Sequence, residues 1–373
     1  MTSASINILE RLGLQFLRRG LERGDTRIHR LSRAEVDEIR RIERRVIALA
    51  AGAGALSGGV LGAAELVLYG RLVEETGAST WSQQLPYWWR YLTLSVLVSA
   101  VELLAMYWTI LRAVARIGSI AGLRLSGQEI EDVIALGLSR AALDLPNPRM
   151  PIHGIDPYAR VSRWRLALLS IVYRLKVGAT TFAVRLVLRR IIARAAVRLA
   201  SALAAIPVFA IWNALIARRI IREARFRAAG PIAVRELGDT VAACRGDLDI
   251  ESRHAIVAAV GESVVCAGDA HPNFILLVPR LLQELEVPRE VLAEWDARRD
   301  RLPMLPARAH DILLATLTAA TLLGGSRRAQ RRLLAEAYTV CGRPFDAQAL
   351  RTAMEELLDG QGLGTQRALL DVS

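Results

Sequence analysis

The chain has 373 residues, a formal net charge of +12, 53 % hydrophobic residues and 23 % charged ones. That length exceeds one ordinary compact domain, and so apolar a composition beside so many charges excludes both a wholly embedded protein and an evenly mixed soluble one. Of the 49 basic residues Lys176 is the only lysine. Three widely spaced cysteines (Cys244, Cys266, Cys341), without a C-x-x-C pair or a histidine at ligand distance, predict reduced core thiols and no metal site.

Residues 1–45 hold eleven arginines against seven acids. No early apolar run ends in a small-residue cleavage site, so no signal peptide is expected and the soluble parts are assigned to the cytoplasm. Ser32 stands three residues before Glu35, the spacing at which each side chain caps a free backbone N–H of a helix's first turn, so a helix is expected from Arg33. Residues 1–45 are read as amphipathic N-terminal helices.

The runs 46–70 and 91–111 are apolar except for Glu65, Glu102 and a few hydroxyls. Twenty-five helical residues reach about 37 Å, enough for a hydrocarbon core of about 30 Å. The segment 71–90 is expected to connect them, and its Trp81, Trp88 and Trp89 suit a headgroup layer. Flanking charges of +4 (1–45), 0 (71–90) and +3 (112–124) orient the hairpin with both ends in the cytoplasm and the Trp segment outside. Residues 46–124 are therefore expected to form a transmembrane helical hairpin.

Residues 125–160 are expected to be a short helix, opened by a second capping box at Ser126 and Glu129, and then a linker marked by Pro146, Pro148, Pro151 and Pro157. From 160 to 227 there are fifteen basic side chains and one acid. Val184, Leu188, Ile191, Ala195 and Leu199 make an apolar stripe, with Arg185, Arg189, Arg190, Arg194 and Arg198 around the rest of the circumference. Nineteen uncharged residues, Leu199–Ala217, precede Arg218, Arg219 and Arg222. Pro207, Asn213 and arginines on both sides favour a pair of interfacial or re-entrant helices over 161–230, with guanidiniums among anionic lipid headgroups. A true span and packing against the hairpin are the alternatives.

Residues 231–373 carry sixteen basic and twenty acidic side chains and read as a soluble helical bundle. A weak repeat at an offset of 56 aligns His254 with His310, Gly268 with Gly324 and Pro288 with Pro344, which suggests two helix–turn–helix units. The expected class is all-α: a transmembrane hairpin, a basic interfacial helix pair and a C-terminal cytoplasmic bundle.

Two segments resemble known families. Ala205-Ile206-Pro207-Val208-Phe209-Ala210-Ile211-Trp212-Asn213, beside an Arg-rich helix, resembles the C-terminal signature of EcsC-like bacterial membrane-associated proteins (about 165–227), which implies a location more than an activity. Residues about 310–362, with the apolar helix Ile312–Leu323, the Gly324-Gly325 turn and a helix around Arg331–Tyr338, resemble the helical module of TerB-like proteins. That family places metal-holding carboxylates in such a turn. Here the turn has none and the upstream copy offers only Asp269, so no metal site carries over.

A carboxylate at bilayer depth costs several kcal/mol unless it is paired, protonated or hydrated. Glu65 and Glu102 are therefore the intramembrane polar candidates, and an antiparallel hairpin brings Glu102 level with Gly58 and Gly59. Gly54, Gly58 and Gly62 form a small-residue face for close helix contact. The favoured reading has Glu102 neutral at pH 7 and hydrogen-bonded within a helix contact, and Glu65 snorkelling. The competing one is an oligomeric channel or proton-linked transporter using Glu102. Arg185–Arg198 lack interleaved aromatics, so lipid headgroups are the expected anion and not nucleic acid. His254 with Glu262 and His310 with Asp311 have the wrong helical spacing for an acid–base pair, and no phosphate-binding or nucleophile-elbow motif occurs in strand context.

The sequence therefore predicts a non-enzymatic bacterial inner-membrane protein with both termini cytoplasmic. No cofactor is expected and no small-molecule substrate is identified, and the protein is expected to work as an anchored scaffold or envelope-sensing module for a protein partner or a second copy.

Overall fold

In a computed structural model of the chain, every regular element among the described residues is helical. The structure describes residues 29–76, 81–123, 150–162 and 198–363, with 13, 15–17, 137–138, 140, 147 and 164; side chains are excepted at 69–88 and 198–205. The described helices are α1 (Arg33–Thr76), α2 (Trp81–Ile120), α3 (Arg198–Cys244), α4 (Ile250–Ala267), α5 (Pro272–Leu285), α6 (Trp295–Arg299), α7 (Ala307–Leu323), α8 (Arg328–Val340) and α9 (Ala347–Leu358). They divide between two compact units. One comprises Glu38–Val114 and Leu166–Ile221, the other Met1–Asp37, Ala115–Arg165 and Arg222–Ser373.

The start of α1 follows the expected chemistry. The Ser32 backbone N–H donates to Glu35 Oε2 at 2.8 Å, and the Glu35 N–H donates to Ser32 Oγ at 3.3 Å. The connecting segment expected over 71–90 is largely helical, because α1 runs on to Thr76 and α2 begins at Trp81. Extending an existing helix adds a hydrogen bond for each residue fixed, so good helix formers such as Arg71, Leu72 and Glu74 prolong it past the apolar run.

The larger unit is a helical bundle. α4 is buried on every side from Ala255 to Val264 and α7 from Ile312 to Leu323, the mark of helices enclosed by others. These two pack on each other, and α5, α8, α9 and the 3₁₀ turn Arg289–Ala293 surround them. Adding 56 to the bounds of α4 and α5 gives 306–323 and 328–341, within one residue of α7 and α8. The turn after α4 closes at Gly268 in the left-handed region (φ 61).

Two expected boundaries move. Residues 150–160 are not a bare linker: Ile152 and Ile155 exchange both backbone hydrogen bonds at 2.8 and 3.0 Å around His153-Gly154, and both side chains enter the bundle core. His153 and Gly154 both have positive φ, which a two-residue turn of this kind demands. Likewise the boundary drawn at 230 falls inside α3, which continues through Gly230-Pro231 to Cys244. From Phe226 to Val241 its apolar side chains belong to the bundle core.

Candidate functional site

In the smaller unit the usual distribution of polarity is reversed. Along α1 the buried positions include Val46, Ala50, Gly54, Ser57 and Leu61, and along α2 they include Ser95, Ser99, Glu102, Met106 and Ile110. Spacings of three and four keep each set on one helix face. The opposite faces carry large apolar side chains, with Leu56 70 % and Val101 67 % exposed. Polar residues bury themselves in water only at a cost, so this inversion is informative in a way that a lone exposed leucine is not. α1 and α2 are both long and apolar enough to cross a membrane.

Glu102, only 5 % exposed, is the centre of the buried face. Its Oε2 accepts from Ser57 Oγ of α1 at 2.7 Å, and its Oε1 accepts from Asn213 Nδ2 of α3 at 2.6 Å. Both carboxylate oxygens are thus engaged by neutral donors from two other helices. The approach is close because Gly54 has no side chain. A Cβ there would lie 2.4 Å from the Phe209 carbonyl oxygen and 2.8 Å from Asn213 Nδ2. One turn further along α1, a Cβ at Gly59 would meet Ile206 at 3.9 Å.

The first half of α3 therefore packs on the hairpin, the alternative kept open for 199–217, and the rest of the helix pair expected over 161–230 lies largely outside the described residues. Of the glycine face, Gly54 meets α3, while Gly58 and Gly62 are buried on the same helix. Glu65 is half-buried. Arg218, Arg219 and Arg222 are exposed on α3. Arg185, Arg189, Arg190 and Arg194 lie outside the described residues, as does the side chain of Arg198. Sequence reasoning missed Asn213 as the partner of Glu102. The signal was its position, since an amide inside nineteen uncharged residues needs a hydrogen-bond partner.

A second polar cluster lies in the bundle unit. Arg227, 5 % exposed, donates from Nε to Glu223 Oε1 at 2.8 Å, from Nη2 to Asn147 Oδ1 at 3.0 Å and from Nη1 to the Gly137 carbonyl. His271 Nδ1 accepts from the Asn273 N–H at 3.2 Å, capping α5, and its Nε2 lies 3.3 Å from Glu223 Oε1. With Nδ1 accepting, Nε2 carries the proton and donates to Glu223. Burial opposes ionisation of Glu223, but His271 and Arg227 outweigh it and hold its carboxyl down at about 2. Burial lowers the His271 pKa against the pull of Glu223. Asp269 accepts from Asn147 at 2.9 Å and Tyr158 at 3.3 Å, and pairs with Arg327 at 3.5 Å. Every ring nitrogen and carboxylate here already has a partner, which suits the joining of α3, α5 and the turns better than proton transfer to a ligand.

The other pairs weighed in the sequence are not brought together. Glu262 pairs with Arg160, His310 Nε2 meets the Leu302 carbonyl at 2.6 Å, and Asp311 accepts from Arg343 at 2.8 Å. Among the described residues no group of three His, Cys, Asp or Glu side chains is placed to hold a metal. All three cysteines are free. Cys244 is buried and Cys266 and Cys341 half-buried, so only the first is a full core residue. Comparison with known proteins finds no family model, no curated protein and no solved structure that matches this chain.

Proposed function

We propose that this chain is a non-enzymatic protein of a bacterial inner membrane, held by the α1–α2 hairpin, whose helical bundle serves in the cytoplasm as a partner-binding scaffold or envelope-sensing module. The observation that carries the reading is the reversed polarity of the smaller unit, in which Ser57, Glu102 and Asn213 are buried while Leu56, Val101 and Ile211 face outward. In lipid such an arrangement satisfies both faces, since apolar side chains meet acyl chains and polar ones meet each other. The flanking charge supports a cytoplasmic location for the termini. Arg218, Arg219 and Arg222 are assigned to anionic headgroups, and so are Arg185, Arg189, Arg190, Arg194 and Arg198. The resemblances to EcsC-like and TerB-like proteins agree with a membrane location and a helical module.

Alkaline carbonate extraction of the full chain tests the membrane assignment. The chain stays in the pellet if the reading is right and is released if the hairpin is a soluble core. Proteoliposomes then separate an anchor from an oligomeric channel or transporter. A flux that Glu102→Gln abolishes would replace the scaffold reading, whereas a scaffold conducts nothing with or without the substitution.

A further inference from the structure

We infer that the apolar first half of α3 also crosses the membrane, parallel to α2, and that Asn213 seats it on Glu102. The inference rests on the membrane reading of the smaller unit and adds to it a helix whose direction contradicts the interfacial placement.

Direction follows from the contacts. Moving along α1 from Gly54 to Gly59, the α3 neighbours move back from Phe209 and Asn213 to Ile206. α3 is therefore antiparallel to α1. Only four residues separate α1 from α2, and Ser57 and Glu102 lie symmetrically about that connection, so α3 runs alongside α2 in the same sense. Arg198 precedes Asn213 by fifteen residues and Trp89 precedes Glu102 by thirteen, distances of about 22 Å and about 20 Å along helices rising 1.5 Å per residue. Because Asn213 touches Glu102, the start of α3 comes level with Trp89, at the closed end of the hairpin. α2 then leaves the bilayer on the side opposite to that on which α3 enters, so the chain between them, most of it outside the described residues, has to return across the bilayer.

Length and polarity agree with a crossing. The nineteen uncharged residues Leu199–Ala217 extend about 28 Å, close to a hydrocarbon core of about 30 Å. A helix lying in the interface needs one face for water and one for lipid. Here Val208, Ile211, Trp212 and Leu215 are exposed, while Phe209, Asn213 and Ala217 are turned inward. No polar face remains between Ile206 and Ala217 to meet water. Arg218 and Arg219 follow at once on the open side of the hairpin, where their long stems carry the guanidiniums toward headgroups. Pro207 is compatible with a crossing, since neighbouring helices satisfy the backbone it frees.

Single cysteines in a chain with Cys244, Cys266 and Cys341 replaced by alanine, probed with a membrane-impermeant maleimide in right-side-out and inverted vesicles, test this. Ser79→Cys marks the closed end of the hairpin, Arg112→Cys the open end, and Arg198→Cys and Ala200→Cys the start of α3. The two α3 positions are expected to react from the same side as Ser79→Cys, with at least a tenfold preference, and Arg112→Cys from the other side. Reaction of the α3 positions from the Arg112 side overturns the α3 crossing and leaves the hairpin intact. Should Ser79→Cys and Arg112→Cys react from one side, the membrane reading itself fails and takes the α3 crossing with it. Fractionation of each variant with the membrane pellet confirms that the variant has assembled.

Discussion

Asn213 of α3 donates its side-chain amide to the carboxylate of Glu102 on α2 at 2.6 Å, across 111 residues of sequence. Ser57 takes the other oxygen at 2.7 Å, so one carboxylate ties three helices together. Removing one partner of a buried hydrogen bond leaves the other unsatisfied, which costs more than removing both. Asn213→Leu alone is expected to destabilise the smaller unit by about 1–3 kcal/mol, and Glu102→Leu combined with Asn213→Leu by clearly less than the sum of the single changes. Unfolding in mixed detergent micelles, run as a double-mutant cycle, measures the coupling; strict additivity would show that the contact carries no energy.

Glycine should matter by position and not by type. Gly54→Ala drives a Cβ to 2.4 Å from the Phe209 carbonyl oxygen, a backbone atom that cannot swing away, and is expected to cost about 1–3 kcal/mol. Gly52→Ala, with nothing within 4 Å of the new Cβ, is expected to stabilise α1 by about 0.5–1 kcal/mol through helix propensity alone. Thermal denaturation of the two variants in the same detergent should move in opposite directions.

The bundle should be acid-labile in a defined way. Glu223 is depressed from 4.5 to about 2 in the folded chain. Its contribution is thus fully present above pH 4.5 and is lost as the pH falls toward 2. His271 is also depressed, from 6.5, because burial favours its neutral form. Its effect has the same sign and begins as the pH drops below 6.5. His271→Asn keeps a side-chain acceptor for the Asn273 N–H while removing the titration. It should flatten the upper part of the acid limb, whereas Glu223→Gln flattens the part below 4.5. Circular dichroism melts between pH 3 and 8 follow both, and unchanged limbs would show that neither group governs acid stability.

The two half-buried thiols should be slow nucleophiles. Burial, with Glu262 adding to it, pushes Cys266 up to about 12, and burial with Asp311 pushes Cys341 up to about 11. Only the thiolate attacks. Alkylation of the native chain at pH 8 should therefore be at least tenfold slower than in denaturant, as read by mass-resolved labelling of each cysteine. Equal rates in both states would mean that these thiols are not held as described.

Several features were legible before any fold was known, because each depends on neighbours in sequence. The Ser32–Glu35 box set the start of α1, since a cap needs only residues three apart. The long apolar runs marked α1 and α2, and the 56-residue echo anticipated the spacing of α4–α5 and α7–α8. The expense of Glu102 was also readable from its place inside an apolar run. Its partner was not, because Ser57 and Asn213 lie 45 and 111 residues away and many hydroxyls and amides could have served. The same limit explains the misplaced boundaries. Pro151 and Pro157 disfavour a helix, but only the core decides that Ile152 and Ile155 turn inward. The arginines of α3 carry one charge each and one composition, yet Arg218 and Arg219 are exposed while Arg225 and Arg227 pair with Asp359 and Glu223. Periodicity and charge thus determined which segments are helical and which are apolar. Which polar groups pair, and which face of α3 meets other helices, depends on surfaces that exist only once distant segments have packed.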